Sequence, residues 1–393
     1  MLPTRPGTSI SLSDLRGGRR SSRLSALRAL EHGLLTDGWV RIYWPCDATQ
    51  RLYSTASSVL ADAATCENYR RTILQEADQP VLGLTYLAIG EEPLYQAAAK
   101  RQRVRSLNMH EELTHACVDQ RAASYEGAAF DTAERALAHS YHTWPSDEAT
   151  AELREAAAAL REALLAEVAA PLRRAVGALL GLDEAYLCSR CEGRRSDNTS
   201  MLRVLEYPKG DGDGGGGGSA ATMGATMGVS EHTDFELFSL LHQRERGLQL
   251  RDPSGAWHEP AHGAAEGESS WVLIVGDMLE RLSGRYLAAT PHRVPPTADE
   301  AAGARYSMVF FQALDENELV SSVAPSIARR SPTSGWREWE ERRASAAAAP
   351  ASDVQDGERR MWEQPMTQRD WTEWKEKAAY ERLEAERAAV ALR

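Results

Sequence analysis

Three side chains in the second half of the sequence have the types and spacing of metal ligands. His232 and Asp234 are separated by one residue, in Ser230-Glu-His-Thr-Asp-Phe235. If this stretch is a β-strand, both side chains point to the same face. His292 lies in a second strand-like stretch and supplies a third ligand of suitable type. Two imidazoles and one carboxylate bind a divalent metal such as iron on one face and leave its other positions open for reactants. A lone His-x-Asp pair also arises by chance, so the prediction depends on all three residues together.

A second pair of residues suits a bound carboxylate. Arg305 and Ser307 share one face of a strand predicted over 305–314. A guanidinium beside a hydroxyl offers several hydrogen-bond donors to one carboxylate. Next to a metal, the pair would hold the far end of a dicarboxylate whose other end chelates iron. The alternative is an ordinary Arg and Ser on an outer strand, since both residue types are mostly exposed in proteins.

The region that carries these residues has the pattern of a β-sandwich or barrel. Strand-like stretches recur at short intervals across 201–320, separated by turn signals such as Pro253-Ser-Gly255. These stretches are 202–205, 247–252, 255–260, 270–275, 288–294 and 305–314. A run of consecutive glycines, Gly214 to Gly218, predicts a flexible insertion over 209–227. It is not a phosphate-binding loop, because no Lys-Ser/Thr pair and helix follow it.

The regions on either side are predicted to be largely helical. The N-terminal region, 1–200, contains leucines at helical spacing before Gly38, then a short strand at 39–43. Its clearest helix spans 147–180, with Pro171 expected to kink or divide it.

The C-terminal region, 321–393, reads as a polar helical extension. A capping box, Thr367-Gln-Arg-Asp370, opens its last helix. Large aromatic residues are usually buried, so three tryptophans are expected to dock this helix on the body of the protein. They are Trp362, Trp371 and Trp374.

Composition excludes several classes of protein. The 393 residues are 42% apolar and 26% charged, which is typical of a soluble globular protein. The net charge of −12 argues against a nucleic-acid partner. The sequence contains no run of about 18 apolar residues, so no membrane span is predicted. We expect a cytoplasmic protein, although the Arg-rich residues 1–30 could direct it to an organelle. The pair Cys188 and Cys191 lacks the further ligands that zinc needs, so free thiols are expected.

Taken together, these residues resemble the signature of the 2-oxoglutarate and Fe(II)-dependent oxygenases, most closely the isopenicillin N synthase-like subgroup. The motifs that carry the resemblance are His232-x-Asp234, His292 and Arg305-x-Ser307. Flanking stretches also match, namely Gly247-Leu-Gln-Leu-Arg-Asp252, Gly276-Asp-Met-Leu-Glu280, Ser283-Gly-Arg-Tyr286 and Thr290-Pro-His-Arg-Val294. The resemblance covers about 200–320.

The resemblance implies an α+β fold with a mainly β core, a double-stranded β-helix (jelly-roll). N-terminal helices would pack on this core, and a helical C-terminal tail would follow it. His232, Asp234 and His292 would be the iron ligands. Arg305 and Ser307 would contact the distal carboxylate of 2-oxoglutarate, and Tyr207, before Pro208, would also touch it. The chain departs from the family pattern here, because Leu205 and Glu206 replace an Asn and a Tyr.

The function implied is that of an enzyme, a 2-oxoglutarate/Fe(II)-dependent dioxygenase. It would hydroxylate, desaturate or cyclise a small organic molecule with O2 as oxidant and release succinate and CO2. Ascorbate is a candidate reductant. Two alternatives stay open. Isopenicillin N synthase and the aminocyclopropane-carboxylate oxidases keep an Arg-x-Ser pair without consuming 2-oxoglutarate, so the chain could be such an Fe(II) oxidase. It could also be a non-catalytic binding protein on this fold. The sequence identifies neither the substrate nor the oligomeric state.

Overall fold

A computed structural model describes most of the two regions that flank the Gly-rich insertion. The described residues are 4–16, 19–69, 84–89, 104–111, 144, 148–191, 199–208, 228–261, 270–295, 303–323 and 364–391. The insertion at 209–227 and Trp362 lie outside them.

An eight-stranded sheet forms the larger layer of the fold. In spatial order its strands are β2 (Thr8–Ser11), β3 (Trp39–Tyr43), β11 (Ser270–Val275), β8 (Phe238–Gln243), β13 (Arg305–Gln312), β6 (Met201–Tyr207), β5 (Arg105–His110) and β4 (Leu84–Leu87). All neighbours are antiparallel except β2 and β3. The strands predicted at 39–43 and 270–275 have those bounds in the structure.

A five-stranded sheet faces the inner strands of the larger one. Its order is β1 (Thr4–Arg5), β10 (Trp257–Pro260), β9 (Gln249–Arg251), β12 (His292–Val294) and β7 (Val229–His232). Leu250 and Val294 of the small sheet join Leu241 and Val309 of the large sheet in one apolar cluster. The two layers therefore enclose a common interior, and the predicted double-stranded β-helix is confirmed.

Helices cover the outer face of the large sheet. They are α1 (Leu12–Arg16), α2 (Arg20–Thr36), α3 (Asp47–Ala61), α4 (Ala63–Asn68), α5 (Glu148–Ala163), α6 (Ala170–Leu179) and α7 (Tyr186–Cys191). Leu240 and Phe310 point toward these helices, while Leu241 and Val309 point inward. Because side chains alternate across a strand, the central strands are apolar on both faces.

The N-terminal region confirms one sequence prediction and contains two strands that were not predicted. The helix predicted at 147–180 is divided near Pro171, as expected, by a π-helical segment, Leu164–Ala169, that ends two residues before the proline. Proline has no N–H to donate to the preceding turn, and a π-helical turn accommodates that loss. The strands β4 and β5 were not predicted individually, and they extend the large sheet beyond β6.

The C-terminal segment returns to the body through a short ladder and a long helix. β14 (Leu319–Val320) pairs with β15 (Met366–Thr367), and α9 (Gln368–Ala391) follows. The predicted capping box is present: the Asp370 N–H donates to Thr367 Oγ1 at 3.0 Å, and the Thr367 N–H donates to Asp370 Oδ2 at 3.3 Å. Trp371 is buried and stacks on Trp374.

Cys188 and Cys191 form no disulfide bond. Within the described part of the chain, no helix is both long and apolar enough to cross a membrane.

A carboxylate at the turn between β9 and β10 fixes the N-terminal strand to the small sheet. Asp252 accepts hydrogen bonds from Arg5, from His258 at 2.7 Å and from the Ser254 N–H. Burial works to raise the pKa of Asp252, but the hydrogen bonds from Ser254 and His258 prevail and lower it to about 2.

We expect Asp252→Asn to lower the free energy of unfolding at neutral pH. Because the pKa of Asp252 is depressed in the folded state, its contribution is complete above the unfolded value, near 4. It is lost as the pH falls toward 2. Urea unfolding between pH 6 and about 3 should show the difference between wild type and variant shrinking with decreasing pH. A difference that grows instead would contradict this assignment.

Candidate metal centre

The two predicted histidine ligands come from neighbouring strands of the small sheet. His232 is the last residue of β7 and His292 the first of β12. The antiparallel register pairs them directly, and their ring centroids lie 4.1 Å apart. This pairing brings together two residues that are far apart in sequence.

Asp234 joins them from a loop rather than from a strand. The sequence analysis placed His232 and Asp234 on one strand, but β7 ends at His232. That part of the prediction was wrong because the chain leaves the small sheet here and crosses to β8 in the large one. The carboxylate nevertheless reaches the histidines: Asp234 Oδ1 lies 3.5 Å from His232 Nε2 and 3.6 Å from His292 Nε2.

The donor atoms are prepared for a cation. Each histidine donates its Nδ1–H to the backbone carbonyl two residues earlier, at 2.9 Å for His232 and 3.1 Å for His292. This fixes the tautomer in which each Nε2 carries the lone pair that a metal would bind. Asp234 Oδ2 is buried and has no hydrogen-bond partner among the described residues. Two imidazole nitrogens and a carboxylate within 4.8 Å of one another fit a divalent metal such as Fe(II).

The surroundings of these groups favour the protonation states that bind metal. Burial, with the adjacent His232, lowers the pKa of His292 to about 4. Burial opposes ionisation of Asp234, but His292 and His232 hold the pKa of that carboxyl well below its usual value. His292 is therefore a neutral imidazole near pH 7 and Asp234 a carboxylate, as metal coordination requires.

The loop that carries Asp234 is held by the start of helix α8 (Asp277–Leu282). The Asp277 N–H donates to the Asp234 carbonyl at 2.8 Å, and the Met278 N–H donates to the Glu236 carbonyl at 3.2 Å. The first N–H groups of a helix lack partners within it, so they are free to hold this loop. A side chain at Gly276 would place its Cβ 2.1 Å from the Glu236 carbonyl oxygen, so glycine is required for the close approach.

The predicted carboxylate contacts lie together inside the fold. Arg305 is opposite Tyr207 in the pairing of β13 and β6, with its guanidinium carbon 4.8 Å from the centre of the Tyr207 ring. The Tyr207 hydroxyl lies 3.4 Å from Ser307 Oγ. Arg305 is only 8% exposed, so the alternative of a surface arginine is wrong. Its Nε is buried without a hydrogen-bond partner among the described residues.

Arg305 occupies a space that exists only because residue 247 is glycine. Gly247 has a φ of +149°, and a Cβ there would lie 1.6 Å from Arg305 Nη1. The same Nη1 donates to the Arg246 carbonyl at 2.6 Å. The guanidinium is therefore held between the Arg246 carbonyl and the Tyr207 ring, and Arg305 lines the interior cavity.

One cavity connects the metal ligands with the Arg305 pair. It encloses about 590 Å³, including the part open to solvent, and its walls are mainly apolar. Its lining also includes polar residues that were not predicted from the sequence, among them Arg203, Gln243 and Glu245. Arg203 alternates with Leu205 and Tyr207 along β6, so the two-residue period of that strand was a signal that could have revealed it.

Removing the carboxylate ligand should abolish metal binding. We expect Asp234→Ala to weaken Co(II) binding by more than the ~10–100-fold typical of losing a residue that only supports a ligand. Titration followed by the visible absorption of Co(II) measures it. Glu231→Ala is the matched control, because Glu231 is exposed and pairs with Arg251. An unchanged Co(II) affinity of the Asp234 variant would rule this site out.

Comparison with known proteins places these residues in a family. Residues 198–313 match the family model of the 2OG-Fe(II) oxygenase superfamily. The chain is 27% identical to the 2-oxoglutarate-Fe(II) type oxidoreductase ppzD of Metarhizium majus, over 61% of this chain and 64% of that protein. It is 31% identical to the validamycin A dioxygenase of Streptomyces hygroscopicus subsp. limoneus, over 50% of each protein. The chain thus spans less than two thirds of the length of these relatives.

A solved structure agrees on the fold. The crystal structure of a full-length Neurospora crassa protein in complex with alpha-KG and thymine superposes on this chain with a TM-score of 0.60. At 19% identity, the match covers 86% of this chain and 96% of that one. All six predicted site residues lie within the region that matches the family model. Residues 198–313 therefore have the sequence features of the 2OG-Fe(II) oxygenase superfamily, and the fold of the solved structure agrees with this similarity.

Proposed function

We propose that the protein is a non-haem Fe(II)- and 2-oxoglutarate-dependent dioxygenase that oxidises a small organic molecule. One observation carries the proposal: a single cavity is lined both by three metal-ligand donors and by the buried Arg305–Ser307 pair. The oxidation is a hydroxylation, a desaturation or a cyclisation. In a hydroxylation, 2-oxoglutarate, O2 and R–H give succinate, CO2 and R–OH, with one oxygen atom in succinate and one in the product.

The side chains at the Arg305 end bind and orient the cosubstrate. The Arg305 guanidinium and the Ser307 hydroxyl donate to the distal carboxylate, and Tyr207 contacts it from β6. With Arg305 fixed by the Arg246 carbonyl, a dicarboxylate bound there would direct its 2-oxo acid end toward His232, Asp234 and His292, which line the same cavity. Fe(II) bound by these three residues supplies the redox chemistry that couples O2 to the cleavage of 2-oxoglutarate.

Apolar walls keep bulk water from the reacting groups. Leu205, Leu241 and Val294 line the cavity between its polar ends. Where apolar walls exclude water, charged hydrogen bonds to the cosubstrate are stronger and side reactions with water are fewer.

Two other functions make different predictions. An Fe(II) oxidase of this fold that does not use 2-oxoglutarate would release no succinate in proportion to product. A non-catalytic binding protein would have no reason to keep three convergent donors beside a buried, unpartnered Asp234 oxygen. The intact site therefore supports catalysis over binding alone.

The far end of the cavity supports a substrate with an anionic group. Arg203 lies four residues before Tyr207 on β6, which is about 13 Å along a strand. The cosubstrate occupies the Tyr207 end, so the substrate lies nearer Arg203. Arg203 is 9% exposed, its Nε donates to Asn108 at 2.7 Å, and its guanidinium carbon lies 5.4 Å from the Phe311 ring. A buried guanidinium in an apolar wall favours a carboxylate or similar oxyanion.

Arg305→Met should raise the KM for 2-oxoglutarate roughly 10- to 100-fold, because losing a charge-assisted hydrogen bond costs about 1.5–3 kcal/mol. Succinate formation by the purified protein with Fe(II), at varied 2-oxoglutarate, measures it. Arg251→Met is the matched control, since Arg251 pairs with Glu231 at the surface. An unchanged KM in the Arg305 variant would contradict the role given to this residue.

The substrate class can be tested by a screen for compounds that stimulate succinate formation. We expect organic acids to stimulate it and their uncharged amides to do so far less. For the best acid, Arg203→Met should raise the KM about tenfold or more, whereas Arg203→Lys, which keeps the charge, should retain part of the affinity. Equal stimulation by acids and amides would contradict an anionic substrate.

A further inference from the structure

The C-terminal helix α9 lies against the loop that carries Asp234. This helix is outside the region that matches the family model. Lys375 Nζ lies 2.9 Å from Asp277 Oδ2 and donates to Thr233 Oγ1 at 3.4 Å. Thr233 stands between His232 and Asp234 in sequence, so a residue of the tail directly contacts the link between two predicted ligands.

Asp277 connects the tail to the backbone of Asp234. Its side chain is only 2% exposed and accepts hydrogen bonds from Trp371 Nε1, at 3.1 Å, and from Lys375. Its own N–H donates to the Asp234 carbonyl at 2.8 Å. A single residue is thus held by α9 through its side chain and holds the Asp234 loop through its backbone.

The tail also contacts the other side of Asp234. Lys375 Nζ lies 5.3 Å from the centre of the Phe235 ring. Gln368 Nε2 donates to the Phe235 carbonyl at 3.5 Å. Both sequence neighbours of Asp234 are therefore covered by α9, while Asp234 itself points into the cavity.

These contacts have a physical requirement in common. A carboxylate as buried as Asp277 needs a cationic partner and hydrogen-bond donors, because an unpaired buried charge is strongly unfavourable. Lys375 and Trp371 are four residues apart and so lie on one face of the helix, where both reach Asp277. Without them, Asp277 would draw water or move, and its N–H would no longer fix the Asp234 carbonyl.

We propose that Lys375 and Trp371 are positioning residues of the metal centre, which act through Asp277 and Thr233 to hold the Asp234 carboxylate in place for coordination. The inference rests on the proposed function in one respect, namely that His232, Asp234 and His292 bind a divalent metal. It assigns to the C-terminal extension a part in forming the active site.

Co(II) titration of the full-length protein tests the proposal without requiring turnover. Lys375→Met removes the charge while keeping most of the aliphatic chain, and it should weaken Co(II) binding about tenfold, as loss of a supporting residue typically does. The visible absorption of bound Co(II) should also change, because its coordination geometry depends on the position of Asp234. Lys375→Arg should restore most of the affinity.

Arg369→Met is the matched control. Arg369 is on the same helix and pairs with Glu316 at 2.7 Å, with side chains 13% and 8% exposed. Its loss removes a comparably buried ion pair from α9 without touching the Asp234 loop. We expect this variant to lose thermal stability but to keep its Co(II) affinity within about twofold, well short of the tenfold loss expected for a supporting residue.

The outcomes separate the possibilities. Unchanged Co(II) binding in Lys375→Met would overturn the proposal. An equal loss of Co(II) affinity in Arg369→Met would also overturn it, because the effect would then come only from the docking of helix α9. If Lys375→Met does not fold, Trp371→Phe, which removes only the indole N–H and part of the ring, should show a smaller loss in the same direction. A wild-type protein that binds no Co(II) would instead reject the proposed function itself.

Discussion

The structure depends on holding together three metal-ligand donors, two of them on the buried residues Asp234 and His292 and one on the partly buried His232. Asp234 Oδ2 is buried without a hydrogen-bond partner among the described residues, and such a polar group is unfavourable by a few kcal/mol. The fold compensates by fixing everything around these donors. The register of β7 and β12 sets the histidines, backbone carbonyls set their tautomers, and the start of α8 sets the Asp234 loop.

Because side chains alternate along the strands, one set of residues on β13 and β6 lines the cavity beside the metal ligands. On β13, Arg305, Ser307 and Val309 face inward, and on β6 Tyr207, Leu205 and Arg203 lie opposite them in register. The outward side chains of the same strands pack on the helices. The helical layer thus keeps the large sheet rigid, and the positions of both guanidinium groups follow from the strand register rather than from flexible loops.

Local sequence pattern predicted the parts of the fold that depend on short-range periodicity. Strands β11 and β13 and the capping box at Thr367 were recognisable because a few residues at fixed spacing define them, whereas the central strand β8 was not predicted. Asp234 was misplaced on a strand because residue spacing does not show where a chain crosses between sheets. Strands β4 and β5 were missed because they are stabilised by pairing, β5 with β6 and β4 with β5, between segments that are distant in sequence. The contacts of Lys375 with Asp277 and Thr233 join distant parts of the chain, and nothing local in the sequence predicts them.

The contacts that fix the Arg305 guanidinium have a consequence for selectivity among dicarboxylates. With no side chain at Gly247 and with the Arg246 carbonyl as acceptor, the guanidinium is immobilised before any ligand arrives. Its conformational entropy is lost on folding and not on association, which is the thermodynamic meaning of preorganisation. A guanidinium held at a fixed distance from His232 and His292 also selects dicarboxylates by their length. A diacid one methylene shorter or longer could satisfy one end of the cavity only by releasing the other.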